Sequence, residues 1–201
     1  MGMQTTVAII GGGLAGLYAG KLLHDAGIDF RVVEARERLG GRILSTDETG
    51  ALSEDGFDLG PSWFWPHVQP QLASLVQELG LATFPQHNDG DVIIERMSRE
   101  TPWRYRATHE EPQSLRVVGG TGALITALTT HLPRESVSIG TCPKQMVLGE
   151  THVTLTAAKA DGSEDSLVAE QVIAAVPPRL LAQIAFSPAV EHGAELRRPS
   201  R

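Results

Sequence analysis

The chain has 201 residues, enough to bury one good core, and 41% of them are hydrophobic, the content of a globular protein. Seventeen Lys and Arg stand against 24 Asp and Glu, and a net charge of −7 without a basic cluster argues against a nucleic-acid partner, since Arg197, Arg198 and Arg201 are too few to alter the balance. The lone Cys142 excludes an internal disulfide and a cysteine-cluster metal site, and no apolar run reaches the about eighteen residues of a membrane helix; Met1 to Thr6 lacks the pattern of a secretory signal, so a cytoplasmic protein is expected.

Val7 to Ile10 is an apolar run of strand character that enters the glycine turn Gly11-x-Gly13-x-x-Gly16. The chain leaves the turn through the helix-forming run Leu14 to Ala26. Gly11 permits the tight turn, Gly13 lets the backbone approach a pyrophosphate, and Gly16 lets the helix pack close on the strand. Phosphates would then meet the free N–H groups around Leu14, Ala15 and Gly16 at a positive helix end. Lys21 to Gly27 closes the helix, and Ile28 to Val33 reads as a second buried strand. Glu34 falls at its end, 18 residues beyond Gly16. An acid there accepts hydrogen bonds from ribose hydroxyls and repels a 2′-phosphate. Strand, glycines, helix, strand and terminal acid in register point to a site for the ADP half of a dinucleotide.

The run Glu34-Ala-Arg-Glu-Arg-Leu-Gly-Gly-Arg42 follows. Arg38 reads as a cation of a solvated loop, pairing with Glu34 and Glu37. Further along are Phe57-Asp-Leu-Gly-Pro-Ser-Trp63 and an amphipathic helix from Val68 to Leu79, ended by Gly80. Asp91 to Arg96 and Trp103 to Arg106 read as two strands separated by the turn-prone Met97 to Pro102. Val118-Gly-Gly-Thr-Gly-Ala-Leu-Ile-Thr-Ala-Leu128 opens a helix whose Leu124, Ile125 and Leu128 recur at helical spacing, so most of them are core. Ser136 to Ile139, Gln145 to Leu148 and His152 to Ala157 are strand-like, with a polar loop at Asp161 to Asp165, and suggest a small β-meander. Val172-Ile-Ala-Ala-Val-Pro-Pro178 and Ile184-Ala-Phe-Ser-Pro188 come last, before a polar tail from Glu191 to Arg201.

Five of these blocks, in order, resemble the flavin-containing amine oxidase family: the glycine turn, Glu34 to Arg42, Phe57 to Trp63, Val118 to Leu128, and Val172 to Pro188. The resemblance implies an α/β fold, a Rossmann-like FAD-binding domain with a partial, shortened substrate-domain segment and a small β-meander. It implies FAD as cofactor and a small-molecule amine as substrate. Its site residues would be Gly11, Gly13, Leu14, Ala15, Gly16, Glu34, Ala35, Arg36, Gly40, Gly41 and Arg42, with Gly60, Pro61, Ser62 and Trp63 under the flavin ring. The implied organisation is an FAD-binding domain in two parts, 1–65 and 117–190, a partial substrate-domain segment at 66–116, and a tail at 191–201.

The family's late lysine, linked through water to the flavin N5, has no counterpart among Lys21, Lys144 and Lys159. Its C-terminal glycine-glutamate block and aromatic pair are likewise unmatched, as a truncation or shifted reading frame would leave them. The resemblance therefore covers the family's N-terminal part. An FAD-binding oxidoreductase is expected, with a non-catalytic remnant or a subunit needing a second chain as the alternative, and with self-association or a completing chain as a consequence. An NAD-dependent reductase fits the Glu34 to Arg42 run least well. Where the family often has a valine clasping adenine, this chain has Pro143, which lacks an N–H. Either Cys142 or Lys144 makes that contact, or adenine is held less tightly.

No catalytic residue is assigned. Trp63 and Trp65 suit a flavin or substrate face and equally the join between two domains. His67, His87 and His109 lack metal-ligand spacing and no metal is expected. Glu54, Asp55 and Asp58 read as a solvated turn and a strand-end hydrogen bond.

Overall fold

The computed structural model describes residues 3–51, 57–87, 90–95, 101–106 and 113–189. In chain order its elements begin with β1 (Met3–Ile10), α1 (Leu14–Asp25) and β2 (Phe30–Val33). The short β3 (Ser45–Thr46) and β4 (Phe57–Asp58) precede α2 (Pro70–Glu78), β5 (Thr83–Pro85), β6 (Asp91–Ile94), β7 (Trp103–Arg106) and β8 (Leu115–Val117). Then come α3 (Gly122–His131), β9 (Val137–Ser138), β10 (Thr141–Leu148), β11 (Val153–Lys159), β12 (Glu164–Ala174), α4 (Pro178–Leu181) and β13 (Ala185–Ser187). The chain divides into two compact units, Met1–Ile43 with Ile125–Arg201, and Leu44–Leu124.

The first unit is built on a seven-stranded sheet in the order β13-β10-β11-β12-β1-β2-β9. β1 runs parallel to β2, from Val7 opposite Phe30 to Ile10 opposite Val33, and parallel to β12 on its other side. Strand order therefore reverses at β1, which makes its C-terminal end the place where a doubly wound sheet opens a ligand crevice. Alternation along β1 sends Val7 and Ile9 to one face and Ala8 and Ile10 to the other, and all four are at most 5% exposed. Burial on both faces is what a parallel sheet between two layers requires. On one side α1 comes close enough that a Cβ on Gly20 would meet the Phe30 ring at 3.0 Å. On the other, Ala8, Ile10 and Val33 join Met146, Leu155, Leu167, Ala169 and Ile184 in one apolar cluster.

The β-meander is continuous with this sheet as β10, β11 and β12, whereas Ser136 to Ile139, expected within it, supplies β9, which pairs parallel with β2 at the opposite edge. β12 is 11 residues long, beginning at Glu164, well before the Val172 to Pro178 run, and it serves two neighbours. Glu164 to Ala169 pair antiparallel with β11, while Leu167 to Ala174 pair parallel with β1. The polar side chains of Glu164, Asp165 and Ser166 break any apolar period there and hid that first part from a hydrophobicity reading. Similarly, β10 starts at Thr141 and carries Pro143 within it, at a register shift between Pro143 and Gln145 where a missing N–H is tolerated. Cys142 is half-buried in the same strand.

In the second unit, β3 pairs with β4, β5 with β8 and β6 with β7, all antiparallel. Phe64 and Leu115 exchange both backbone hydrogen bonds, at 2.9 and 2.8 Å, and Phe64, Leu75, Val76, Val117 and Leu124 are buried apolar side chains among its described residues. α2 starts at Pro70, two residues after the expected Val68, because proline suits the first helical position. The β6–β7 hairpin is exposed at every one of its strand residues. The expected strand end at Arg96, the turn at Met97 to Glu100, and Glu54, Asp55, His109 and the tail lie outside the described residues. Among the described residues no helix is long and apolar enough to cross a membrane.

Candidate functional site: a glycine turn and its supporting loop

The turn after β1 is built by glycines that nothing larger could replace. Gly11 has φ +105, and a Cβ there would lie 2.8 Å from the Ala175 carbonyl oxygen. A Cβ on Gly16 would fall 1.9 Å from the Gly11 carbonyl oxygen, so the first turn of α1 rests directly on the strand end. Gly13 is different. It is the N-cap of α1 in extended conformation, and a Cβ there would meet only the Gly41 Cα, at 3.8 Å.

No side chain caps α1 and no acid lies in its first turn. The N–H groups of that turn and the positive end of the helix are left for an anion, and the space in front of Gly13 is a cradle that a side chain would fill. These residues fit a pyrophosphate. Leu14 is half-buried and Ala15 exposed.

Glu34 closes one side of the turn. The residue is 8% exposed, and its carboxylate accepts the Gly12 N–H at 2.7 Å and the Arg36 N–H at 2.9 Å. Two of about four acceptor sites on a carboxylate are thereby used, and the others are free for ribose hydroxyls. Gly12 was not singled out in the sequence, yet a Cβ on it would lie 2.5 Å from the Leu39 Cδ2 and 3.0 Å from the Glu34 Cβ. Its position inside the glycine run was the available signal. Ala35 is exposed.

Gly40 and Gly41 bring a second loop against the first. The Gly40 N–H donates to the Gly12 carbonyl at 2.8 Å, and Gly40 forms a parallel bridge with Gly13. Gly41, at φ +60, lies so near that a Cβ on it would be 3.2 Å from the Gly13 Cα. Arg42 is exposed. Arg36 folds back, its Nη1 donating to the Gly41 carbonyl at 3.0 Å. Arg38 departs from expectation. In place of pairing with Glu34 or Glu37, it donates to the carbonyls of Leu39, Ile43 and Gly41 at 3.1, 3.3 and 3.0 Å, because the left-handed glycines turn those carbonyls toward it.

β10 enters beside Glu34: the Thr141 N–H donates to the Glu34 carbonyl at 2.9 Å, and Pro143 follows two residues on. At the far end of α1, the Asp25 carboxylate is hydrogen-bonded by His131 at 2.7 Å and by Lys21 at 2.6 Å, which lowers its pKa to about 2.

Gly60, Pro61, Ser62 and Trp63 belong to the second unit. Trp63 is 47% exposed and meets Trp65 edge to face at 6.3 Å, while Gly60 and Pro61 are exposed. The segment is anchored through Asp58, whose Oδ1 accepts from the Ser45 hydroxyl at 2.7 Å and from the Thr121 N–H at 2.9 Å. Ser45 Oγ accepts the Gly122 N–H at 2.9 Å in turn. The carboxylate and the serine thus cap α3 from a distant part of the chain, extending the expected strand-end hydrogen bond of Asp58 to a helix. His67 and His87 are both exposed.

Comparison with known proteins bears on this geometry. Residues 9–79 match the model of an NAD(P)-binding Rossmann-like domain, and residues 98–200 match that of flavin containing amine oxidoreductases. The chain is 38% identical to a putrescine oxidase of Kocuria rosea over 91 residues, 45% of this chain and 18% of that protein. It is 35% identical to the human flavin-containing amine oxidase B over 104 residues, 52% of this chain and 19% of that one. The matched stretch therefore spans about a fifth of these relatives. Among solved structures, a putrescine oxidase bound to putrescine superposes with a TM-score of 0.80 at 21% identity, over 96% of this chain and 62% of that one. Cyclohexylamine oxidase from Brevibacterium oxydans gives 0.78 at 19% identity, over 92% and 61%, so both share the fold.

Proposed function

The chain belongs to the flavin containing amine oxidoreductase family, and on that premise we propose that it binds FAD through the glycine turn as part of an oxidoreductase acting on small-molecule amines. FAD is the cofactor the family implies. When bound it would supply the acceptor for a hydride from an amine carbon, with oxygen as the final oxidant. The carrying observation is the uncapped N-terminus of α1, faced by the empty side of Gly13 and flanked by the Glu34 carboxylate.

The residues divide this work. Gly11 and Gly16 shape the turn, Gly13 leaves room for the pyrophosphate, and Leu14, Ala15 and Gly16 present N–H groups to it. Glu34 binds the ribose and disfavours a 2′-phosphate, with Ala35 and Arg36 beside it. Gly40, Gly41 and Arg42 line the pyrophosphate from the second loop, Arg42 as a fork on phosphate oxygens. Gly60, Pro61, Ser62 and Trp63 are proposed to meet the flavin ring, with Asp58 holding their segment. The corresponding division is an FAD-binding domain of residues 1–65 and 117–190 around a partial substrate-domain segment of 66–116. A cytoplasmic location and association with a second copy or a completing chain are part of the same proposal, the latter supported by the exposed β6–β7 hairpin.

Calorimetry on the purified chain tests the assignment. FAD and ADP are expected to bind and NADP to bind at least about tenfold more weakly, the effect of one unpaired charge contact. Equal affinity for NADP and FAD would sink it. Peroxide release over a panel of amines, measured against free flavin, separates an oxidase from a nucleotide-binding subunit that needs a second chain.

A further inference from the structure

The Arg38 guanidinium gathers three carbonyls of the second glycine loop: Leu39 and Ile43 on Nη1, Gly41 on Nη2. Arg36 adds a second donor to the Gly41 carbonyl. In a planar trans peptide, a carbonyl and the N–H that follows it point in opposite directions, so gripping the carbonyl aims the N–H. The Leu39–Gly40 peptide shows the effect directly. Its carbonyl lies on Arg38 and its N–H, on the other side, donates to the Gly12 carbonyl at 2.8 Å. The Gly41–Arg42 peptide is turned by the same grip. Its carbonyl lies on both guanidiniums, while the Arg42 N–H donates to no group among the described residues.

Gly41 packs on Gly13, the N-cap of the helix whose first N–H groups are themselves free of side-chain caps. We propose that Arg38 is a positioning residue for pyrophosphate: without touching the ligand, it turns the Gly41–Arg42 peptide so that the Arg42 N–H joins the donors of the α1 N-terminus. The inference rests on the reading of the glycine turn as a dinucleotide site. A solvated surface cation would be replaceable by lysine. A fork that spans three carbonyls is not, since an ammonium cannot reproduce its planar spread of donors.

The test uses the full chain, the variants Arg38→Lys and Arg38→Met, and two ligands, ADP and adenosine. In the parent, ADP is expected to bind well above adenosine. Both variants should lose about tenfold or more in ADP affinity, the worth of a hydrogen bond to a charged group, with adenosine affinity unchanged within about twofold. A lysine variant with parental ADP affinity would overturn the proposal, and so would equal losses for ADP and adenosine, which would mean that Arg38 only maintains the fold. Hydrogen exchange at the Arg42 amide decides the matter in the parent alone, should a variant fail to fold: ADP is expected to slow it, and exchange indifferent to ADP would refute the role. A parent that does not distinguish ADP from adenosine would instead remove the nucleotide reading itself, and this inference with it.

Discussion

A methyl group at Gly16 would sit 1.9 Å from the Gly11 carbonyl oxygen, whereas one at Gly13 would meet nothing nearer than 3.8 Å. Two glycines of one motif therefore answer to different pressures. Gly16 is required by the packing of α1 on β1, since backbone on backbone cannot yield as a side chain tip can. Gly13 is required by whatever occupies the space before it. Gly16→Ala is expected to destabilise the fold by about 2 kcal/mol or more, as overpacking against backbone does. Gly13→Val should leave the unfolding temperature within a few degrees of the parent, on the order of 1 kcal/mol or less, and abolish ADP binding. Thermal unfolding and calorimetry on the two variants check this together, and a Gly13→Val chain that binds ADP as the parent does would show that the cradle is not the phosphate site.

Helices α1 and α3 are joined at their C-terminal ends by one carboxylate. Asp25 accepts from His131 on α3 and from the buried Lys21 one turn back on its own helix, with His24 edge to face against the His131 ring at 5.6 Å. The His131 and Lys21 hydrogen bonds hold the Asp25 pKa at about 2, below its ordinary 3.8. A carboxylate whose pKa is lowered on folding contributes stability that is full above its ordinary pKa and is lost as pH falls through the folded value. The gap in unfolding temperature between the parent and Asp25→Asn should accordingly shrink as pH falls from 3.8 to about 2, and close below that. A gap that does not vary with pH would mean that the asparagine variant reports lost packing and no linkage.

For the whole molecule, apolar exposure is concentrated in the second unit. Val92, Ile93, Ile94, Trp103 and Tyr105 of the hairpin lie at 39–68% exposure, and Phe57, Leu59, Trp63 and Val68 at 47–69%. Clusters of this kind, on short strands with open edges, drive association. Light scattering at micromolar concentration is expected to show species larger than a monomer, and a hydrophobic dye to bind. A monomer that does not bind the dye would refute this, and would mean that residues beyond those described cover the patch.

The amino-acid sequence by itself determined the glycine turn, the strands on either side of α1 and the acid at position 34, because each depends on neighbours a few residues away and on a hydrophobic period that survives in any context. It also carried the family membership, since the blocks stand in order along the chain. Two features were settled by distant contacts, and a third by the local bend of the backbone. β12 runs 11 residues because β11 pairs with its first part and β1 with its last, the two overlapping at Leu167 to Ala169, and its polar start has no apolar period to reveal it. Asp58 caps a helix 63 residues away, a pairing that no local pattern specifies. Arg38 turned from a solvated cation into the clamp of a glycine loop, since a guanidinium's partners are whichever carbonyls the fold delivers to it, and those of Leu39, Gly41 and Ile43 converge only once left-handed glycines have bent the chain around it.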